Sequence, residues 1–363
     1  MLCFNTGIAL SFHKSPEPDT GIAIFYTRKA KTPYMILRNE PRNQPEKNFT
    51  DPIQLLQYLE LKREQSPFSE SAMESFRFKV PVAFAQKMQP GKADDPLLLQ
   101  VFPAPEELND HNDYQNDPLA EARFLSQPGL LQKYHGRALL LVTPSCAIHC
   151  RYCFRRHYPY DDKGHSQTQL DNNLRLIEHD TSISEVILSG GDPLSLSDTR
   201  LKRLFEQLQA IKHLQRIRIH SRYPVVEPER VTTALLNTLK QSRLQVMMVL
   251  HINHAHEIGA DNQQVFHQLL NNNILLFNQS VLLKGVNDSP EALAELSEIL
   301  IQHHIIPYYL HMLDKVHGSA YFEISEQAAL DIYKQLRSLL PGYMLPRLVR
   351  EIPDASAKMP LYP

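Results

Sequence analysis

ALLLVTPSCAIHCRYCFRRHYPY, residues 138–160, decides how the rest of the chain is read. It opens on an apolar, β-prone run suited to one buried strand. Cys146, Cys150 and Cys153 follow at once, with three and then two residues between them. Three thiolates at this spacing can wrap one face of an iron–sulfur cube, whereas a fully protein-ligated [4Fe–4S] cluster takes four. The remaining cysteine of the chain is the distant Cys3. One iron is therefore left open for a small molecule, as a cluster that performs chemistry requires. The alternative from these residues alone is zinc, with His149 or His157 as fourth ligand. Structural zinc sites usually pair two separated ligand couples, and the sequence offers no second couple.

Downstream, short apolar runs begin at Ala138, Glu185, Arg216, Gln245, Leu275 and Ile305. Between and after them lie stretches with helical spacing of apolar residues, from Gln169, Thr199, Pro228, Gln264, Pro290 and Glu326. Pro228 and Pro290 suit the first turn of a helix, and Asp198 suits an N-cap. Repeated strand–helix alternation predicts an α/β fold with a parallel sheet and right-handed crossovers. Periodicity leaves open whether that sheet is flat or curled into a barrel. In either case functional residues gather at the C-terminal ends of the strands. SGGDPL, residues 189–194, closes the second run, and paired glycines there let backbone approach a ligand closely or simply turn.

Upstream, the chain is rich in Pro, Asn, Gln and Asp. Helices are expected in DPIQLLQYLELKRE and MESFRFKVPVAFAQKM, and loops in PGKADDPLLLQVFP and NDHNDYQNDP. Residues 1–34 carry little helical pattern and are expected to lie outside the main fold, as the product of an upstream start codon. Residues 35–130 read as a mostly helical N-terminal extension, and 131–363 as the main domain.

With 363 residues and 42% hydrophobic content the chain can bury one sizeable core. A net charge of −2 disfavours a nucleic-acid or membrane-surface role. No apolar run approaches the roughly 20 residues of a membrane helix, and the N-terminus lacks the basic region and cleavage site of a signal peptide. Clustered rather than dispersed cysteines argue for metal ligation in a reducing compartment, so a cytoplasmic protein is expected.

CAIHCRYCFRRHYPY, SGGDPLSLS, HSRYPVVEPERVT, HINHAHEI, NQSVLLKGVND and PYYLHMLDKVHG together resemble the lysine 2,3-aminomutase family of radical S-adenosylmethionine (SAM) enzymes. The resemblance runs from about residue 95 to the C-terminus. KYHGRALLL, CFRRHYPY and HMLDKVHG favour its short bacterial branch, which supplies β-lysine for modifying elongation factor P. The resemblance implies a partial (β/α)6 TIM-like barrel. It implies a [4Fe–4S] cluster on Cys146, Cys150 and Cys153. SAM would be met by Ser189, Gly190, Gly191, Asp192, His251, Asn253 and Gln279. Pyridoxal 5'-phosphate (PLP) would be held by Lys358, with Lys133, Tyr134, Arg137 and His311 near its phosphate. Arg155 would pair with the substrate carboxylate, and Asp314 and Glu351 with its distal ammonium. The remaining polar residues of the same strand ends, His254, Asn278 and Ser280, suit SAM and PLP contacts or structural hydrogen bonds equally. PDASA before Lys358 departs from the glycine-rich run of the long members, which also have arginine at Lys133 and aspartate at Glu351.

The activity so implied is conversion of L-α-lysine to β-lysine, with flavodoxin or ferredoxin as electron donor and the elongation factor P ligase as pathway partner. Two other readings stand beside it. One is a related enzyme acting on another amino acid or a protein-bound lysine. The other is a non-catalytic iron–sulfur redox or sensory protein.

Overall fold

The apolar runs become strands because β-branched and large aliphatic residues recur with period two and are bounded by polar or turn-forming residues. In the computed structural model, which describes residues 47–66, 68–109, 111–159 and 166–362, they form one ten-stranded sheet. Its strands are β1 (Leu125–Gln127), β2 (Leu130–Leu131), β3 (Arg137–Thr143), β4 (Glu185–Gly190), β5 (Arg216–Ser221), β6 (Gln245–His251), β7 (Leu275–Val281), β8 (Ile306–His311), β9 (Arg347–Arg350) and β10 (Met359–Pro360). The expected outlying segment, residues 1–34, falls outside the described residues.

Spatial order equals sequence order throughout. β3 to β9 pair in parallel, each with its successor, while β1, β2 and β10 add antiparallel edges. A sheet that never reverses its winding, with crossovers of one hand, places its helices on a single face. The other face is then free to enclose a cavity. The six parallel runs read from sequence are all strands, and the structure adds a seventh, β9, whose four residues were too few to stand out.

The helices after the first five parallel strands, β3 to β7, are α1 (Gln167–His179), α2 (Asp198–Ala210), α3 (Thr233–Lys240), α4 (Ala260–Asn271) and α5 (Pro290–Gln302), and α6 (Glu326–Leu339) precedes β9. Ser166, Ser197, Thr232, Ser289 and Ser325 cap five of these six, each hydroxyl accepting from the backbone N–H three residues on. Two expectations change. Ser197 caps α2, and Asp198 is its first residue, where a carboxylate favours the helix dipole. Pro228 starts a short 3-10 turn, Pro228–Arg230, and α3 begins only after Thr232. Pro290 opens α5 as expected.

The N-terminal region is less helical than its sequence suggests. The expected helix around Met73 splits into Glu70–Ser75 and Val82–Ala85, with a two-residue strand, Val80–Pro81, between them. Pro81 accounts for the break, because the residue before a proline is driven to extended backbone. The stretch expected as a loop, residues 90–103, contains the helix Pro96–Leu99, capped by Asp95 through the N–H groups of Leu97 and Leu98. Phe49, Leu55, Phe84 and Leu97 join the same core as Leu140, Leu188, Ile219 and Met248.

A buried ion cluster ties this region to the cysteine segment. Arg151 is fully buried, and it donates to Glu107 through Nε (2.8 Å) and Nη2 (2.5 Å). Arg156 donates to the same carboxylate at 2.7 Å. The carbonyls of Phe76 and Ala72 take the remaining donors of Arg151. Glu107→Gln would leave two buried guanidiniums without their counter-charge. Such a break costs about 3–5 kcal/mol, so urea denaturation of this variant is expected to show a loss of that size.

Candidate active site

Alternation along the strands sorts residues between helices and cavity. On β5, Ile217 and Ile219 are fully buried in the helix-side core, while Arg218 and His220 face inward. Ser189, His251, Gln279, Tyr309 and His311 occupy the corresponding inward positions on β4, β6, β7 and β8. Together with the loops after the strands they line a cavity of about 790 Å³. This volume is ample for several bound groups of cofactor size.

The three cysteines lie at this cavity, all partly exposed and none in a disulfide. Burial, with the other thiols and Asp192 nearby, pushes Cys146 up, and burial beside Cys150 pushes Cys153 up to about 11. A bound metal supplies the positive charge that ionises buried thiols of this kind. Among the described residues, no group of three or more His, Cys, Asp or Glu side chains is placed to hold a single metal ion. His149 is occupied by the carbonyl of Arg77 at 2.7 Å and His157 by that of His317 at 3.2 Å. The donor set thus suits a polynuclear cluster better than the zinc alternative.

SGGD serves the cysteine segment directly. A Cβ on Gly191 would stand 2.4 Å from the Ser145 carbonyl oxygen, and one on Gly190 would stand 2.6 Å from that of Thr143. Gly190 also holds φ at +120°, which only glycine adopts without strain. The N–H groups of Gly191 and Asp192 donate to Thr143 and Ser145 at 2.7 Å each. The paired glycines therefore seat the loop entering Cys146 while still lining the cavity. Gly191→Ala is expected to destabilise the protein by about 1–3 kcal/mol, as overpacking does, and to lower iron content after reconstitution. Calorimetry and iron analysis on the same preparation check both.

Several residues expected at SAM are used differently. The Asp192 carboxylate is buried and accepts from Leu194 N, Ser221 Oγ and Arg222 N at 3.0, 2.8 and 2.7 Å. Burial holds it up near 6 despite these donors. It fastens the end of β4 to the end of β5 at the edge of the cavity. Asn253 is fully buried, bridging Gln100, Tyr152 and the Val281 N–H, so it is a structural amide. Asn278 and Ser280 point to the helix side and bond to Ile252. His254 caps a 3-10 turn. The Gln279 side chain faces the cavity with no hydrogen bond among the described residues. His251 faces it too, paired with Tyr152 Oη at 2.9 Å. Burial and Arg222 push the His251 imidazole down to about 3, so it is neutral.

Across the cavity, Lys358, Lys133 and Tyr134 converge on Glu351. Lys358 forms an ion pair with Oε2, and Lys133 Nζ and Tyr134 Oη lie 2.9 and 2.5 Å from Oε1. Burial alone would raise this carboxyl, but the donors outweigh it and hold it at about 2. Glu351 is thus saturated by the protein's own cations instead of waiting for an external ammonium. Asp314 is its opposite: it lines the cavity, and its carboxylate has no hydrogen bond or ion pair among the described residues. Burial pushes its carboxyl up to about 7, tempered by Lys358.

Arg155 was expected to offer an open fork, yet Glu121 already accepts from Nε at 2.8 Å and Nη2 at 2.7 Å. Its Nη1 reaches Ser189 Oγ at 2.9 Å. The Arg137 guanidinium lies 5.0 Å from the centre of the Tyr134 ring, with no hydrogen bond or ion pair of its own among the described residues. The Lys358 amine sits 5.8 Å from the centre of the Tyr309 ring. His220 Nε2 is buried without a partner. A lysine side chain, an uncommitted guanidinium and an orphaned imidazole nitrogen lining the same cavity fit a planar, phosphorylated carbonyl cofactor. Sequence reasoning missed Glu121, Arg222, Tyr152 and His220. The inward parity of β5 was the available signal for His220.

A cysteine triad beside a cavity at the C-terminal strand ends defines a cluster-dependent enzyme class, and residues 140–297 match the family model described as the Radical SAM superfamily. The chain is 44% identical over 313 residues to an L-lysine 2,3-aminomutase of Escherichia coli, covering 86% of this chain and 91% of the relative. It is 43% identical to one from Haemophilus influenzae, covering 87% and 96%, and 32% identical to one from Clostridium subterminale, covering 85% and 74%. The chain belongs to the L-lysine 2,3-aminomutase family of radical SAM proteins.

Proposed function

We propose that this protein is an isomerase that converts L-α-lysine to β-lysine with a [4Fe–4S] cluster, SAM and PLP. The observation that carries the reading is that Lys358, the cysteine triad and the unpaired Asp314 line one cavity. When bound, the cluster with SAM supplies a carbon radical, and PLP supplies an electron sink for the amine that moves. The chain's own work is placement, exclusion of water and charge selection. Cys146, Cys150 and Cys153 hold the cluster. Ser189, Gly190, Gly191, His251 and Gln279 form the wall along SAM, which Asp192 and Asn253 brace from behind.

Lys358 holds PLP, with Arg137, Lys133, Tyr134 and His311 on the phosphate side. Burial, with Lys358 adding to it, pushes the His311 imidazole well down, so it acts there as a neutral group. Arg155 takes the substrate carboxylate in exchange for Glu121. Asp314 receives the distal ammonium. Glu351 assists by fixing Lys358 and Lys133 and by adding negative charge to the same wall. A substrate lacking the distal amine would leave Asp314 buried and unpaired, which sites built for polar groups reject strongly.

We further infer that β-lysine passes to the elongation factor P ligase in the cytoplasm, the role of the short EpmB branch, with flavodoxin or ferredoxin as reductant. The chain spans 91% of the Escherichia coli relative but 74% of the Clostridium subterminale one, which supports the short branch. No helix among the described residues is long and apolar enough to cross a membrane. The organisation proposed is a main domain over residues 131–363 with 35–130 as its N-terminal extension.

Protein reconstituted without oxygen and reduced with dithionite is expected to release 5′-deoxyadenosine from SAM, and Cys150→Ala to release none. A loaded cluster that leaves SAM intact would refute the reading and favour a redox role.

A further inference from the structure

One cysteine of the triad already has a charged partner. Arg222 Nη1 donates to Cys150 Sγ at 2.7 Å. In the proposed holoprotein that sulfur is a thiolate ligand of the cluster, so this inference rests on the cluster reading above. Arg222 is 6% exposed, and its guanidinium is fixed on several sides. Nη1 also meets Tyr152 Oη at 2.9 Å, and Nη2 meets Gln100 Oε1 at 2.6 Å and Glu257 Oε2 at 2.9 Å. Its backbone N–H is held by Asp192, and its Cζ lies 5.3 Å from the Phe84 ring centre. Glu257 is fully buried, and its other oxygen is fixed by the N–H groups of Asn253 and His254 and by Gln100 Nε2.

Neutralising Glu257 would require only Nη2. The geometry instead turns the second nitrogen of the fork onto a ligand sulfur and leaves Nε buried without a partner. A donor and a positive charge at a thiolate draw electron density from the sulfur and favour the reduced, more negative cluster. Burial keeps this effect from being screened by water. Glu257, on the far nitrogen, opposes it.

We propose that Arg222 is a positioning residue that raises the reduction potential of the cluster through its bond to Cys150, and that Glu257 limits the rise. The pair thereby sets how easily the cluster accepts the electron that starts the reaction. The proton and charge stay on Arg222 throughout, and the electron comes from the external reductant.

The two residues therefore act in opposite directions, which separates tuning from mere packing. Glu257→Gln keeps the shape and the arginine but removes the opposing charge. Arg222→Met combined with Glu257→Gln removes both charges together, so neither is left buried alone. Iron and sulfide are counted first, on full-length protein reconstituted without oxygen. The midpoint is then followed by electron paramagnetic resonance during a redox titration. The midpoint of Glu257→Gln is expected to move positive. That of the double variant is expected to move negative by at least a tenfold change in the one-electron equilibrium, which is about 59 mV.

Unchanged midpoints in loaded protein, or shifts of both variants in the same direction, would overturn the inference. If the double variant takes up no cluster, the direction of the Glu257→Gln shift decides alone. Wild-type protein that assembles no cluster would instead overturn the underlying reading.

Discussion

Lys358→Ala is expected to abolish β-lysine formation while leaving the cluster intact. The loss should reach roughly 10³-fold or more, the scale seen when the covalent group of an enzyme is removed. Lys358 is partly exposed to the cavity, and its amine is paired only with Glu351 and the Tyr309 ring among the described residues. Its removal therefore leaves no core cavity and breaks no sheet pairing. β10, which follows it immediately, is held to β9 by Val349 and Arg350 pairing with Pro360 and Met359. Iron content and thermal stability should stay near wild type while product disappears. PLP added to the variant should no longer be retained through gel filtration. A variant that still makes β-lysine would remove Lys358 from the proposed site.

Asp314→Asn is expected to move stability and substrate affinity in opposite directions. Its carboxyl titrates near 7 in the folded protein against 3.8 as the ordinary value, because burial disfavours the charged form. Folding therefore binds this proton more tightly than the unfolded chain does. The wild type pays no penalty below about pH 4, loses stability as pH rises from there to about 7, and carries the full penalty above. The amide has no charge to bury. At pH 8 the cofactor-free variant should be more stable by about 1–3 kcal/mol, discounted for water in the cavity, and at pH 4 the two should agree. The KM for L-lysine should rise by roughly 10²-fold, as expected for loss of one partner of a buried charge pair. Wild-type affinity should improve as pH rises toward 7 and Asp314 ionises. Urea titrations at both pH values and steady-state kinetics check these outcomes. A variant that is destabilised at pH 8 with unchanged KM would show that Asp314 is structural.

The strands from Ala138 onward were legible because each is a short apolar run between polar breaks, and the helices because apolar residues recur at helical spacing. The cysteine triad was legible because its three members are close in sequence. Residues whose partners lie far along the chain were not. Arg155 and Glu121 are 34 residues apart, and nothing local announces that they close on one another. Glu351 read as an open carboxylate because Lys133, which occupies it, is 218 residues away.

The polar strand ends were only half legible. Composition marks Asn278, Gln279 and Ser280 alike, but parity sends Gln279 to the cavity and its two neighbours to the helix side. Asn253 lies beyond the end of β6, where parity no longer applies, and the buried cluster around Gln100 and Tyr152 claims it. The pair of glycines was read for a ligand, and its tightest contacts are with the loop that carries Cys146.

The most direct test of the account is product analysis. Protein reconstituted without oxygen is incubated with dithionite, SAM, PLP and L-lysine, and amino acids are separated by mass spectrometry. β-Lysine is expected when all components are present, and none when SAM, PLP or the reductant is left out. Release of 5′-deoxyadenosine from SAM with no β-lysine would contradict it, keeping the radical chemistry and ruling out free lysine as the substrate.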